Sequence, residues 1–417
     1  MKRNIRYRIK RKLYRTSRHF LAFFQQEAAG GILLFLGALF ALVWANSAFG
    51  TWYEEWLHLP VRLGIGEWSL SFSLLHWIND GLMTIFFFVI GMEIKREVTG
   101  GELKSLQASL LPVVAAVFGM VVPAIIYLFF NWQQPSMHGW GIPMATDIAF
   151  ALGVLSLAGQ GIPRRVAVFL TALAIVDDMG AIVVIALFYT QSFSLLHFGG
   201  GLLALLSAFC LQYKKITQAW PYLACGFFAW LFFLGAGIHP TIAGVLCGLL
   251  IPGKGEHSLL HRLETTLTPW SAYLIMPLFA IANAGVKIDA AALSSVWSPA
   301  GIGILAGLFI GKPLGIFGMT WLLAKAGWLK FPQGAKASQY LGAGSLGGIG
   351  FTMSLFIVML AFQDAQLQMT AKISILLASF ASGIAGAVIL RSSVAKKAAI
   401  AEVKREWLRH PGAGFQR

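Results

Sequence analysis

Apolar positions along this chain fall in long unbroken blocks, among them residues 31–44, 111–130, 166–188 and 373–390. About 20 apolar residues span the hydrocarbon of a bilayer, and each backbone polar group there needs a partner inside the protein. None of the blocks alternates with the period of 2 that marks a membrane barrel, so helices are expected. Twelve spans fit, near 28–46, 80–98, 108–130, 141–159, 165–188, 195–211, 219–236, 239–252, 269–286, 299–323, 340–361 and 371–390. No linker divides them. Residues 1–417 read as a single polytopic, all-α membrane domain with tails at 1–27 and 391–417.

Three stretches depart from the simple pattern. The loop 47–78 holds two alternating runs, 61–65 and 68–73, around Gly64-Ile65-Gly66-Glu67, a hairpin signal. An apolar-faced β-hairpin (61–73) at the membrane surface suits a homodimer contact, or a fold back onto its own helices. The fourth span opens Gly141-Ile142-Pro143-Met144-Ala145-Thr146-Asp147, mixing a helix breaker with a hydroxyl and a carboxylate. The eleventh holds Gly342, Gly344, Gly347, Gly348 and Gly350. Glycine at small-residue helix contacts is the ordinary explanation, but each costs about 1 kcal/mol of helix stability against alanine. Both spans are therefore expected to be broken helices. Each is the middle of a three-span group, spans 3–5 and 10–12. Interrupted spans at matching places of inverted repeats point to a transport site at the midplane.

Composition agrees with lipid as the solvent: 57% of residues are hydrophobic and 12% charged, against roughly 25% charged in soluble domains. The net charge of +15 raises nucleic-acid binding, but its placement argues against that partner. Residues 2–18 carry nine Lys and Arg, residues 391–417 carry seven, and twelve more fall in five alternate short loops. The other loops keep Arg62, Lys287 and Lys372. That asymmetry places both tails in the cytoplasm and gives an even number of spans. It also inverts the two groups, since span 3 starts inside and span 10 outside. The basic tails suit contact with anionic membrane lipid. A signal peptide ending near Ala45-Asn46-Ser47-Ala48 is the other reading of the start, but later spans fit the charge pattern only if the first is retained. Cys210, Cys225 and Cys247 lack metal-ligand spacing and read as small buried hydrophobes.

Few ionisable residues lie deep within the spans. Asp177 and Asp178 are adjacent in the fifth, Asp147 is on the fourth and Lys312 is within the tenth. A charge at the bilayer centre costs on the order of 2.5–3.5 kcal/mol even on lenient scales, so such residues are functional candidates. One buried ion pair accounts for Lys312 and a single aspartate, leaving two carboxylates unexplained. Helix neighbours point about 100° apart, so both can border one cavity. Two carboxylates in low dielectric do not readily both ionise, and a desolvated cation or protons can compensate them. Sodium is a hard cation that favours oxygen ligands.

At these residues the chain resembles the bacterial NhaA-type sodium/proton antiporters. The resemblance rests on Gly91-Met92-Glu93-Ile94-Lys95-Arg96-Glu97, Ala145-Thr146-Asp147-Ile148-Ala149-Phe150, Asp177-Asp178, Pro277-Leu278-Phe279-Ala280-Ile281-Ala282-Asn283-Ala284-Gly285, Gly311-Lys312-Pro313-Leu314-Gly315 and Gly350-Phe351-Thr352-Met353-Ser354, in order over nearly the whole chain. The resemblance implies twelve helices and electrogenic, pH-regulated exchange of sodium or lithium for a larger number of protons, with no cofactor. It implies Asp178 as principal ion ligand with Asp177 as partner and gate, Thr146 and Asp147 beside the ion, and Asp147 and Lys312 compensating the ends of the broken helices. It ties Glu93, Glu264 and His239 to pH response; carboxylates at helix ends and a hydrogen-bonded histidine are the plainer alternative. Near Glu264 the chain has His257 and His261 before it and Thr265-Thr266-Leu267-Thr268 after it, where relatives can carry histidine. An intramembrane aspartyl protease would need a Gly-x-Gly-Asp motif, and a cation channel a filter such as Thr-Val-Gly-Tyr-Gly or a carboxylate ring; neither motif is present. A sodium-coupled solute symporter shares broken helices and is the strongest rival.

Overall fold

The computed structural model describes residues 28–65, 68–101, 104–158, 162–190, 193–253, 255, 258–329, 331 and 335–409. The basic stretch 2–18 and His257 lie outside these. Chain order begins with α1 (Ala28–Ala45), a short α2 (Gly50–His58), and the hairpin β1 (Pro60–Ile65) and β2 (Trp68–Ser73). The strands are antiparallel, with Pro60 opposite Ser73 and Leu63 opposite Leu70, as the alternation foretold. Then come α3 (Leu74–Gly100), α4 (Leu106–Asn131), a 3-10 arm (Pro135–Met144), α5 (Ile148–Leu157), α6 (Arg164–Phe188), α7 (Leu195–Tyr213), α8 (Trp220–Ala236) and α9 (Thr241–Leu250). The remainder is α10 (Leu259–Asn283), α11 (Ala290–Ser295), α12 (Pro299–Lys325), α13 (Ala337–Leu346), α14 (Phe351–Ala361) and α15 (Ala365–Arg409).

Among the described residues seven helices are long and apolar enough to cross a membrane, and bent pairs raise this to ten. That is short of twelve because α8 and α9 have only 17 and 10 residues. Both expected breaks are present: the 3-10 arm meets α5 at 48°, and α13 meets α14 at 43°. Not all five glycines make the second break. Gly342 and Gly344 sit inside α13, where a Cβ would meet Leu390 at 2.7 Å and Ile316 at 3.5 Å, so they serve close packing. Gly347, Gly348 and Gly350 form the break itself.

Several boundaries differ from expectation for local reasons. α10 starts ten residues before the expected 269, because Ser258 caps it through the amide of His261 and its first turns are amphipathic rather than apolar. Glu264 therefore sits on a helix and not in a loop. α3 starts at Leu74, with Ser73 accepting from the amide of His76. α15 starts at Ala365, just after Asp364, whose carboxylate accepts from the amides of Gln366 and Leu367. α2 and α11, both short and external to the long helices, gave no periodic signal of their own.

Packing centres on the two breaks, where α4, α6, α12, α14 and α15 contribute Tyr127, Leu173, Ile175, Leu308, Phe356 and Ala378 to one buried core. A second core joins α7, α8 and α9 to one face of α3. There α9 lies backbone to backbone on α3, with Gly244 and Gly248 against the carbonyls of Thr84 and Phe88.

Candidate functional site

The unwound residues of the two breaks hydrogen-bond to each other. The amide of Asp147 donates to the carbonyl of Ile349 at 2.7 Å, and the Thr146 hydroxyl donates to the carbonyl of Gly347 at 2.8 Å. Each half-helix that starts or stops here exposes unpaired backbone groups, positive at an N-terminus and negative at a C-terminus. Asp147 meets two N-termini at once. Its Oδ1 accepts from the amide of Phe150 in α5 at 2.9 Å, and its Oδ2 from the amide and hydroxyl of Thr352 in α14, at 3.1 and 2.5 Å. At the C-terminal end of α13, Thr146 covers the Gly347 carbonyl and is itself covered by Lys312, whose Nζ donates to Thr146 Oγ1 at 2.8 Å.

Lys312, from the middle of α12, has no exposed surface and also donates to Asp177 Oδ2 at 2.5 Å. An ammonium and a carboxylate in hydrocarbon are each costly alone, and together they form a pair between α12 and α6. Asp177 Oδ1 is buried without a partner. Asp178, one residue on and 4% exposed, accepts no protein hydrogen bond among the described residues. Its carboxylate feels Asp177, Glu93, Asp147 and Lys312, three negative groups against one positive. A buried carboxylate without donors is a rare arrangement, and it leaves oxygen ligands free for a small cation or a proton.

Sequence reasoning named Asp147, Thr146, Asp177, Asp178 and Lys312, and all five converge on this crossing. It did not assign roles to Thr352 or to Ser354, whose hydroxyl donates to the carbonyl of Ile142 at 2.7 Å. Nor did it find the groups that support the 3-10 arm. The Tyr127 hydroxyl donates to Ser136 O at 2.7 Å, and the Tyr189 hydroxyl to His138 O at 2.8 Å. The available signal was a hydroxyl in the first turn after a glycine break, and a tyrosine near each helix end facing the arm.

The three residues tied to pH response fall in two places. Glu93 and Glu264 share Arg96, at 3.8 and 2.7 Å, with Glu97 on the same guanidinium at 3.0 Å. Beside them Lys95 Nζ donates to the carbonyls of Leu249 and Ile251 at the end of α9. His239 lies in the turn before α9, beside Phe356 and near His76, which contacts Asp80 near the start of α3. Burial, and secondarily His76, pushes the His239 imidazole down to about 4, so it stays neutral around neutral pH. From Asp80 to Glu93 is about 20 Å of helix, so the two groups are at opposite ends of α3.

The family described as Na+/H+ antiporter 1 matches residues 21–390. The chain is 50% identical over 378 residues to the Na(+)/H(+) antiporter NhaA 1 of Clostridium beijerinckii, covering 89% of this chain and 94% of that one. It is 46% identical to the Na(+)/H(+) antiporter NhaA of Psychrobacter arcticus, with the same coverage, and 46% identical to that of Citrobacter koseri, covering 90% and 98%. Each of these relatives is named as a transporter, and the sodium-coupled symporter finds no support in them.

Proposed function

This chain belongs to the Na+/H+ antiporter 1 family, and from that premise we propose that it exchanges sodium ions for protons at Asp178 and Asp177, across the crossing of its two broken spans. It is a multi-pass protein of the bacterial inner membrane. The observation that supports the site assignment is Asp177 Oδ1, a carboxylate oxygen buried without a partner, beside the Asp178 carboxylate, while Asp177 Oδ2 and both oxygens of Asp147 are held by hydrogen bonds. The same oxygens hold sodium or protons, and neither can leave without the other arriving or the charge being stranded in low dielectric. Thr146 and Asp147 border the ion, and Lys312 occupies Asp177 while sodium is absent. Lithium, with the same hard-cation chemistry, is a second cargo, and exchange of more than one proton per cation makes the cycle electrogenic.

The seven long helices, α1, the two broken pairs and the shorter α8 and α9 make twelve crossings. With both tails cytoplasmic, spans 3–5 and 10–12 run in opposite senses and rock against each other about the fixed site. Glu93 and Glu264 on Arg96 form the cytoplasmic group that responds to pH. The hairpin 61–73 offers an edge to a second copy, giving a homodimer, and the basic tails lie on anionic lipid.

The test is a proteoliposome loaded with a pH-reporting dye. Sodium added alone should move protons through the parent, with no organic solute present. Asp178→Asn keeps the side chain's size and removes its charge, so the variant should insert and remain folded while sodium-driven flux disappears. Appreciable flux from Asp178→Asn would remove Asp178 from the site.

A further inference from the structure

The external helix α2 has no part in the exchange site, and its faces point to a different partner. It leaves α1 at 113°, so with α1 across the bilayer α2 lies close to the membrane plane. Successive residues of α2 turn by about 100° each, which with the capping residues Phe49 and Leu59 at its two ends separates three faces. Tyr53 and Leu57 point inward and are buried. The Tyr53 hydroxyl donates to the carbonyls of Ile281 and Ala282 at 2.7 and 3.2 Å, and its ring covers Gly285, so the helix is fixed against rolling. Glu54 and His58 form an exposed polar face. Phe49, Trp52 and Leu59 form a third face, 56%, 64% and 51% exposed, with Trp56 half-buried between them.

We propose that this third face rests in the lipid surface, at the boundary of headgroups and acyl chains on the external side. A helix with one anchored face, one charged face and one aromatic face is built for that boundary. Two more exposed tryptophans mark the same end of the bundle. Trp132 follows α4, Trp297 precedes α12, and Asn131 joins those two helices by donating to the carbonyl of Pro299 at 2.9 Å. The end of α1 is tied through Asn46, which donates to Val286 O and accepts from the amide of Ile288, to the segment after α10, and Val286 shares a small buried cluster with Leu305 of α12. Tryptophans gathered at one level form the aromatic belt that seats a membrane protein at its interface. α2 is therefore the in-plane part of that belt, tied through Tyr53 to the end of α10.

The experiment uses the full chain in proteoliposomes, with Cys210, Cys225 and Cys247 replaced and single spin labels placed by F49C, W52C, L59C, E54C and H58C. Each labelled protein is first checked for sodium-driven proton flux, and power saturation then compares access by oxygen with access by a water-soluble nickel chelate. Oxygen should be preferred at 49, 52 and 59 and the chelate at 54 and 58. Chelate preference at all five positions would place α2 in water. Low access to both reagents at 52, with spin–spin broadening that vanishes on dilution with unlabelled protein, would give the face to a second copy. Either result overturns the proposal. Should a label abolish flux, the unlabelled protein in brominated lipid decides: Trp52→Phe should lower the quenchable tryptophan fluorescence, and no change would count against the lipid contact.

Discussion

Lys312 serves two partners from a position without access to water, and that double role fixes what its loss should do. It holds Asp177 Oδ2 and stands behind Thr146 at the end of α13. Removing one member of a buried pair leaves the other charge uncompensated, at about 3–5 kcal/mol. Lys312→Ala should therefore melt at a lower temperature and exchange poorly; a parent-like melting temperature with normal flux would dismiss the pairing. Thr352 is the complementary case. It supplies a hydroxyl to Asp147 that its amide cannot replace, and Thr352→Val keeps the shape while removing that donor. A loss of roughly 1–3 kcal/mol in thermal or denaturant stability is expected, largely restored by Thr352→Ser. If Val and Ser variants unfold alike, the hydroxyl is not what matters. The charged residues were legible in the sequence because an ionised group in an apolar run is costly. Thr352 was not, because a hydroxyl in a membrane helix is common and satisfies itself on its own backbone.

Both broken elements were legible from their breakers: Pro143 just before Thr146 and Asp147 in the first, and five glycines within nine residues, 342–350, in the second. Which glycine does what was not legible, since close packing and unwinding draw on the same residue. The structure separates them and so orders their substitutions. A Cβ at Gly348 would meet the Leu308 carbonyl, a backbone atom of α12 that cannot turn aside. At Gly342 it would meet the Leu390 side chain, which can shift, and at Gly100 it would meet nothing within 4 Å. Gly348→Ala should abolish exchange, Gly342→Ala should weaken it, and Gly100→Ala should leave flux and melting temperature at the parent level. Equal behaviour of the 348 and 100 variants would mean the crossing tolerates more than its geometry allows. The early start of α10 was hidden for another reason. Its first turns are amphipathic, and a search for unbroken apolar runs passes over a helix that carries Glu264 on a buried face beside Arg96.

For the whole molecule, exchange reduces to competition at one site, and competition has a slope. At the proposed site Asp178 and the unpartnered oxygen of Asp177 would take sodium, and the same oxygens would take protons. Each proton that sodium must displace weakens its apparent affinity tenfold per unit fall in pH, or ~1.4 kcal/mol. One displaced proton gives a slope of one in the logarithm of affinity against pH, and two give a slope approaching two. Once the pH is high enough that no competing proton remains, the affinity should level off. Lys312 enters the same balance, because sodium at Asp177 must compete with its ammonium. Removing that ammonium by Lys312→Ala should therefore alter the position of the plateau more than the slope below it. The quantity to measure is the sodium concentration for half-maximal flux at equal pH on both faces, taken from about pH 6 to 9 to cover titration points displaced by the protein. A line that stays flat across that range would mean that sodium and protons do not share the site, and exchange would need two separate pathways.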